Sequence, residues 1–221
     1  MLRIRLHGRG GQGIKTASQI LGSASFLAGF QAQDFPLYGA ERRGAPIVAY
    51  TRIHRQPILE RGPIADPDIV LIGDETLLED ILAAPTAGSD AATLLFINSR
   101  HSSAELKKHF RLESLPVQLD LTELCEKHLH QPTILSTALA TVGARLMGHI
   151  QLHHLLQAIR NELGQERLSA EKITANLKLA EDAFMKVPSF DLEGKEAAPA
   201  VSSIPLAALE RRKPIDGVPA I

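Results

Sequence analysis

The 221-residue sequence predicts an α/β fold of three layers, with a mostly parallel sheet flanked by helices and a Pro-rich C-terminal tail. Three observations support this prediction. Short apolar segments alternate along the chain with longer segments of helical periodicity. The apolar segments at 69–73 and 94–97 are continuous, as in parallel strands that are covered on both faces. The chain also opens with an apolar segment, a glycine-rich loop and a segment of helical periodicity, which predict a strand, a loop and a helix.

The predicted strands are short apolar runs, at residues 3–7, 30–33, 47–53, 69–73, 93–98 and 116–121. In the third of these, apolar and polar side chains alternate, which favours an antiparallel or edge strand. The predicted helices have apolar residues at helical spacing, at residues 14–28, 75–83, 103–110, 122–129, 133–147, 152–163 and 170–185. Right-handed crossovers would place the opening glycine loop at the carboxyl edge of the sheet, where ligands usually bind.

The character of the chain changes near its C-terminal end. Residues 188–221 contain five prolines and no segment with the period of a helix or strand. We therefore expect one domain over residues 1–187. The segment 188–221 is expected to be a disordered tail or an arm that becomes ordered against another subunit.

Composition excludes several classes of function. The net charge is −1, aromatic residues make up 4% of the chain and tryptophan is absent, so neither the charge nor the stacking platforms of a nucleic-acid-binding protein are present. The longest apolar stretch, at 133–147, contains Arg145 and is too short to span a membrane. The apolar start is too short for a signal peptide, which predicts a cytoplasmic protein.

The cysteine and histidine residues argue against a cluster or metal site. Cys125 is the only cysteine, so the chain cannot form an internal disulfide, and it cannot by itself supply the roughly four thiolates of an iron–sulfur cluster. The nine histidines form no His-Glu-x-x-His motif and have no acidic partner at metal-site spacing. No metal ligand is therefore predicted.

The glycine loop is the strongest candidate for a binding site. A strand followed by a glycine-rich turn and a helix N-terminus presents backbone N–H groups and the positive end of a helix dipole to an anion. Basic side chains in or beside the loop could add charge-assisted contacts to a phosphate or carboxylate. The predicted binding residues are Gly8, Arg9, Gly10, Gly11, Gln12, Gly13, Lys15 and Thr16.

Three other interpretations of this loop stay open. The spacing of Gly8, Gly10 and Gly13 fits a dinucleotide-binding fingerprint, with Asp34 near the position of the ribose-binding acid, although Asp34 lies in a polar segment that runs into a proline. A Walker A loop is approached, but one extra residue precedes Lys15 and rotates it by about 100° around the helix. The third interpretation is a loop that only allows the helix to pack on the sheet.

A second unusual block lies at residues 35–46, where prolines and glycines predict a loop that contains aromatic and charged side chains. Loops of about 12 residues inside a compact domain are usually functional. Arginine and tyrosine are enriched at interface hot spots, which favours a subunit contact over a solvated charge cluster. The predicted interface residues are Tyr38, Glu41, Arg42 and Arg43.

The two blocks together, residues 7–17 and 33–46, resemble the gamma subunit of the 2-oxoacid:ferredoxin (acceptor) oxidoreductases. The resemblance extends over about residues 1–187, including a helix around 176–180. It implies a required component of an enzyme that decarboxylates a 2-oxoacid on thiamine diphosphate, passes electrons through iron–sulfur clusters to ferredoxin or a similar acceptor, and usually releases an acyl-CoA. The chain itself is not expected to be active alone.

The resemblance also implies how the cofactors are distributed. Thiamine diphosphate with Mg would lie on alpha and beta subunits and the clusters on delta-type, cluster-bearing chains, so that this chain holds no cofactor alone. It would scaffold the complex, contact coenzyme A or substrate through the glycine loop, and bind a partner subunit through residues 38–43. Pyruvate, branched-chain, 2-oxoglutarate and aryl 2-oxoacids all stay open as substrates. The alternatives are a stand-alone Rossmann-type dinucleotide-binding oxidoreductase and an assembly factor without a ligand.

Overall fold

The computed structural model describes residues 1–37, 44–190 and 192, and it confirms the predicted α/β class. The strands are β1 (Leu2–Arg9), β2 (Gln31–Leu37), β3 (Pro46–His54), β4 (Ile69–Ile72), β5 (Leu94–Asn98) and β6 (Val117–Leu119). The helices are α1 (Ile14–Leu27), α2 (Ser103–Phe110), α3 (Leu121–Leu129), α4 (Ser136–Met147), α5 (Leu152–Gln165) and α6 (Ala170–Lys186), with a short 3₁₀ helix at Glu75–Glu79.

The six strands form one mixed sheet in the order β2-β3-β1-β4-β5-β6. The pairs β1/β4, β4/β5 and β5/β6 are parallel, whereas β3 is antiparallel to both β1 and β2. The alternation in residues 47–53 thus correctly predicted an antiparallel strand, but β3 lies inside the sheet rather than at its edge. In the antiparallel register Arg9 lies opposite Pro46, so the end of β1 meets the start of β3.

The main core lies between one face of the sheet and helices α1, α3, α4, α5 and α6. Helix α4 is buried on almost every side, as expected for a helix without a polar face. Gly143 allows this close packing, because a Cβ there would lie 3.0 Å from side-chain atoms of Leu21 and Leu71. On the other face, α2 packs through Leu106 on β4 and β5. Successive residues of a strand point to opposite faces of the sheet. The continuous apolar strands β4 and β5 therefore supply side chains both to the main core and to the smaller core under α2.

Loops rather than helices cover the other face of β1. The buried guanidinium of Arg5 donates hydrogen bonds to the carbonyl oxygens of Ile64 and Ala65 in one loop, and to those of Pro85 and Ala87 in another. Because one rigid side chain satisfies carbonyls from both loops, Arg5 holds the two loops together over the sheet.

Four predicted elements differ from the observed ones. The strand predicted at 116–121 is only Val117–Leu119, because α3 begins at Leu121. Strand β2 continues to Leu37, whereas the sequence predicts a loop at residues 35–37. The ring of Phe35 stacks on that of Tyr50, with 4.9 Å between the ring centroids. Pro36 is tolerated because β2 is an edge strand. The predicted helix at 75–83 is only the 3₁₀ helix, since the Asp80 carboxylate accepts the N–H groups of Leu82 and Ala83 and starts a separate turn. Helix α4 begins at Ser136 rather than at residue 133.

The chain stays packed on the body just beyond α6. The carbonyl of Val187 accepts a hydrogen bond from Nε of Arg145 at 3.1 Å, Phe190 packs on the main core, and Leu192 is buried. The rest of the predicted tail, residues 191 and 193–221, lies outside the described residues.

Candidate functional site

The predicted binding residues lie together where β1 ends and α1 begins. Gly11 and Gly13 have φ angles of +95° and +79°, which L side chains rarely adopt, and Gly13 is the N-cap of α1. Gly11 is exposed, and a Cβ built on it would have no atom within 4 Å. The loop therefore has one open surface, at the carboxyl edge of the parallel strands β1 and β4.

Backbone hydrogen bonds hold the loop from two sides. The N–H of Gly10 donates to the carbonyl of Ala45 at 2.8 Å, and the N–H of Gly44 donates back to Gly10 at 3.1 Å. On the other side, the N–H of Leu135 donates to the carbonyl of Gln12 at 2.9 Å. The side-chain Oε1 of Gln12 accepts the backbone N–H of Arg9 at 2.7 Å, which closes the turn. Hydrogen bonds to residues before β3 and before α4 thus anchor the loop.

The side chain of Arg9 connects the loop to the 3₁₀ helix. Its Nε lies 2.8 Å from Oδ2 of Asp74, its Nη2 donates to the hydroxyl of Thr76 at 2.6 Å, and its Nη1 donates to the carbonyl of Gly44 at 3.2 Å. Asp74 also caps the 3₁₀ helix through its other oxygen. Three of the five donors that a guanidinium carries are therefore used inside the chain, and Arg9 positions the loop.

The two predicted polar residues of α1 have different surroundings. Lys15 is exposed in the first turn of the helix. The hydroxyl of Thr16 donates to Oε1 of Glu166, just after α5, at 2.7 Å. Thr16 therefore joins the start of α1 to α5.

Close packing accounts for two of the glycines. A Cβ on Gly8 would lie 2.3 Å from Cδ1 of Ile14, and one on Gly13 would lie 2.8 Å from Cβ of Ser136. Real Cβ atoms essentially never approach so closely, so these two positions require glycine for packing. Gly11 has no such neighbour, and its positive φ is what favours glycine there.

Sequence reasoning missed the contribution of α4. Ser136, the first residue of this helix, is 5% exposed and lies directly against Gly13. The N-termini of α1 and α4 thus meet at the glycine loop, and neither helix has a side-chain cap. The signal was the Ser136-Thr137 pair at the start of an apolar helix, because such residues favour helix N-termini.

A buried histidine lies directly before the loop. His7 is 5% exposed, and its Nε2 has no hydrogen-bond partner among the described residues. Burial, and to a lesser extent the charge of Arg5, lowers the pKa of His7 to about 3. The ring is therefore neutral at pH 7 and belongs to the support of the loop.

The position of Asp34 gives no support to a dinucleotide site. Asp34 lies in the middle of β2, which is separated from β1 by β3. Its Oδ1 would be 3.1 Å from a Cβ on Gly22, so it packs against the middle of α1 rather than beside the glycine loop. Burial, and secondly Glu162, raises the pKa of Asp34. A ribose-binding acid would instead end the strand next to β1.

The predicted interface residues Tyr38, Glu41, Arg42 and Arg43 lie outside the described residues. The segment that contains them leaves the end of β2 and returns at Gly44, which is hydrogen-bonded to the glycine loop.

Fold and site together define an α/β domain whose glycine loop lies at the carboxyl edge of its parallel strands. Residues 3–185 match the model of the pyruvate ferredoxin/flavodoxin oxidoreductase family. The chain is 37% identical over 195 residues to the common gamma subunit of the pyruvate/ketoisovalerate oxidoreductases of Thermococcus kodakarensis. This alignment covers 87% of the present chain and 100% of the Thermococcus subunit. It is 34% identical to the pyruvate synthase subunit PorC of Methanocaldococcus jannaschii, over 80% of this chain and 96% of that one.

Solved structures agree with these relationships. The PorC subunit of the pyruvate oxidoreductase of Thermotoga maritima has a TM-score of 0.70 and 29% identity, over 83% of this chain and 95% of that one. The 2-oxoglutarate:ferredoxin oxidoreductase of Magnetococcus marinus, solved with 2-oxoglutarate, coenzyme A and succinyl-CoA, has a TM-score of 0.61 at 16% identity. The match covers 86% of this chain but 32% of that one, so the same fold forms one part of a longer chain there.

The chain belongs to the pyruvate ferredoxin/flavodoxin oxidoreductase family. It is a gamma-type subunit of a multi-subunit 2-oxoacid:ferredoxin oxidoreductase, as the resemblance predicted, and a stand-alone Rossmann-type oxidoreductase is not supported. Among the residues that the structure describes, no helix is both long enough and apolar enough to cross a membrane.

Proposed function

We propose that this chain serves a thiamine diphosphate-dependent complex that oxidatively decarboxylates a 2-oxoacid. The carbon–carbon bond to the carboxylate breaks, a bond to the sulfur of coenzyme A forms, and CO₂, one proton and two electrons are released, the electrons passing to ferredoxin or a similar acceptor. The observation that carries the proposal is the match of 37% identity over the full length of a gamma subunit common to pyruvate and ketoisovalerate oxidoreductases. Pyruvate and ketoisovalerate are therefore the first substrates to test.

The chain depends on partner subunits for its cofactors. Alpha and beta subunits would hold thiamine diphosphate and Mg, which supply the carbanion chemistry of decarboxylation, and delta-type subunits would hold the iron–sulfur clusters. The single thiol supports this division, because a cluster needs about four thiolates. Cys125 is buried, and burial, followed by the nearby charge of Asp120, raises the pKa of its thiol to about 12.

Within the complex, the glycine loop would contact coenzyme A, and residues 38–43 would contact a partner subunit. The open backbone at Gly11 and the positive end of α1 favour an anionic ligand such as a phosphate. The hydrogen bonds of Gly10 to Gly44 and Ala45 would transmit any shift of the partner-binding segment to this loop. A cytoplasmic location suits an enzyme that uses coenzyme A and ferredoxin.

The test is anaerobic purification of the tagged, full-length chain from its native host. We expect cluster-bearing partners to co-purify and to reduce a viologen dye when given pyruvate or ketoisovalerate together with coenzyme A. A chain that purifies alone and supports no 2-oxoacid-dependent reduction would refute the proposal. Substitution of Arg42 and Arg43 by alanine should reduce the recovery of partners, whereas Arg100→Ala, at a side chain 81% exposed, should not.

A further inference from the structure

An open groove lies at the β6 end of the sheet, far from the glycine loop in the chain. It has a volume of about 1050 Å³ and is lined by residues of β6, of α3 and of the end of α6. The apolar side chains that line it are Leu119, Leu124 and Pro132. The charged side chains that line it are Arg100, Asp120, Glu123, Glu126, Lys127 and Lys186.

The basic side chains of this groove are already paired within the chain. Nε of Arg100 lies 3.1 Å from Oδ2 of Asp120. The ammonium groups of Lys127 and Lys186 each lie 3.0 Å from a carboxylate oxygen of Asp182. These positive charges are therefore compensated, and the groove has little to attract an acidic occupant.

Two carboxylates of the groove are not compensated. Glu123 and Glu126 are exposed and lie three residues apart on α3, which places them on the same side of the helix. Within the part of the chain that the structure describes, neither carboxylate makes a hydrogen bond or an ion pair. The groove thus combines apolar surface with two negative charges, and it suits an occupant that is apolar and basic.

The chain itself contains a segment of this composition. Residues 204–209 are apolar, and Arg211, Arg212 and Lys213 follow them after the single acid Glu210. This segment lies outside the described residues. It also lies beyond residues 3–185, which match the family model, so membership of the family does not explain it.

The connection to the body is long enough for this segment to reach the groove. Lys186 lines the groove, and the six-residue step from there to Leu192 spans at most ~22 Å. Residues 193–203 can extend over ~36 Å, which exceeds that distance. A tether of this kind gives an effective concentration on the order of mM, so a tethered segment has an advantage over a second copy or a separate chain.

We propose that residues 204–213 of this chain dock in the groove beside α3 of the same molecule. The apolar residues 204–209 would pack on Leu119, Leu124 and Pro132, and the basic residues 211–213 would lie beside the two free carboxylates. Docking would also cover the outer side of β6, which is an edge strand. Edge strands that stay open can pair with other chains, so this cover would oppose association.

The test is hydrogen–deuterium exchange of the full-length chain, read by mass spectrometry on the peptides that contain residues 204–213. In Glu123→Lys/Glu126→Lys these amides should exchange about twofold to thirtyfold faster than in the wild type, the range expected for the loss of two surface ion pairs. Arg211→Glu/Arg212→Glu should have the same effect from the other side of the contact. A chain with all four substitutions should regain slow exchange, because the charge pairs are restored with opposite signs.

The matched control is Glu113→Lys/Glu171→Lys, which makes the same change of net charge at two exposed carboxylates outside the groove. Its exchange in residues 204–213 should equal that of the wild type. Unchanged exchange in the peptides of β4 and β5 checks that every variant is folded.

The proposal is overturned if the wild type and Glu123→Lys/Glu126→Lys exchange at the same rate, or if the fourfold substitution does not regain slow exchange. Slow exchange that disappears on dilution would assign the contact to a second copy of the chain. Slow exchange that requires added partner subunits would assign it to one of them. Either result would overturn docking within one molecule.

Discussion

Replacement of Gly8 by alanine should destabilise the chain by packing alone. A Cβ at this position would lie 2.3 Å from Cδ1 and 2.6 Å from Cγ1 of Ile14, and 2.8 Å from Oε1 of Gln12. Ile14 is 2% exposed and has no solvent into which to move. Overpacking of this kind costs about 1–3 kcal/mol of unfolding free energy. For a chain of this size, that corresponds to a fall in Tm of roughly 2–12 °C.

A double-mutant cycle isolates the contact. Ile14→Ala alone should cost about 2–5 kcal/mol, because it leaves a cavity in the core. In the double variant, the new Cβ of Gly8→Ala occupies part of that cavity instead of clashing with the isoleucine. The double variant should therefore be about 0.5–3 kcal/mol more stable than the sum of the single effects predicts.

Urea and thermal denaturation of the four proteins provide the measurement. Gly164→Ala is the control, because this glycine lies within α5 and a Cβ there would have no atom within 4 Å. Alanine in a helix interior should stabilise the chain by about 0.5–1 kcal/mol. If the Gly8 and Ile14 effects add to within about 0.5 kcal/mol, the reasoning is refuted, and glycine is needed at position 8 for another reason.

Two further predictions concern the support of the loop. Arg9→Ala should lower the unfolding free energy by about 1–3 kcal/mol, because it removes hydrogen bonds to Asp74 and the carbonyl of Gly44. In urea denaturation Arg9→Lys should not restore this stability, since an ammonium group lacks the planar fork of a guanidinium. Full rescue by lysine would contradict the role given to Arg9. The fold lowers the pKa of His7 from 6.5 to about 3. Above pH 6.5 the ring is neutral in both the folded and the unfolded chain, so the free energy of unfolding does not depend on pH through this residue. As the pH falls from 6.5 towards 3, only the unfolded chain takes up the proton, and the free energy of unfolding decreases by about 1.4 kcal/mol per pH unit. The difference in stability between the wild type and His7→Gln, measured by urea titration at each pH, should show this slope, and a constant difference would refute it.

Local sequence patterns predicted the elements and the glycine loop. Helix α1 and the buried strands β4 and β5 follow from apolar periodicity, which depends only on near neighbours in the chain. The clustering of glycines predicted the turn after β1, in which Gly11 and Gly13 have positive φ. The motifs at residues 7–17 and 33–46 also predicted the family correctly, since each carries a specific run of residues.

Edge position and strand order were not encoded locally. Pro36 predicted a loop, but β2 contains it because an edge strand can dispense with one N–H group. Asp34 has the spacing of a ribose-binding acid, yet the antiparallel insertion of β3 places it away from β1. Strand pairing depends on the whole sheet, so spacing along the chain did not predict it.

The sequence by itself determined that an α/β gamma-type subunit begins with a glycine loop, because periodicity, glycine conformation and motif order are properties of contiguous residues. Only the tertiary structure decided what surrounds that loop. Packing of α4 between the sheet and its neighbouring helices brings Ser136 against Gly13, and the parallel pairing of β1 with β4 brings Asp74 to Arg9. These contacts join residues far apart in the chain, and the burial of α4 on almost every side provides the free energy that holds them together.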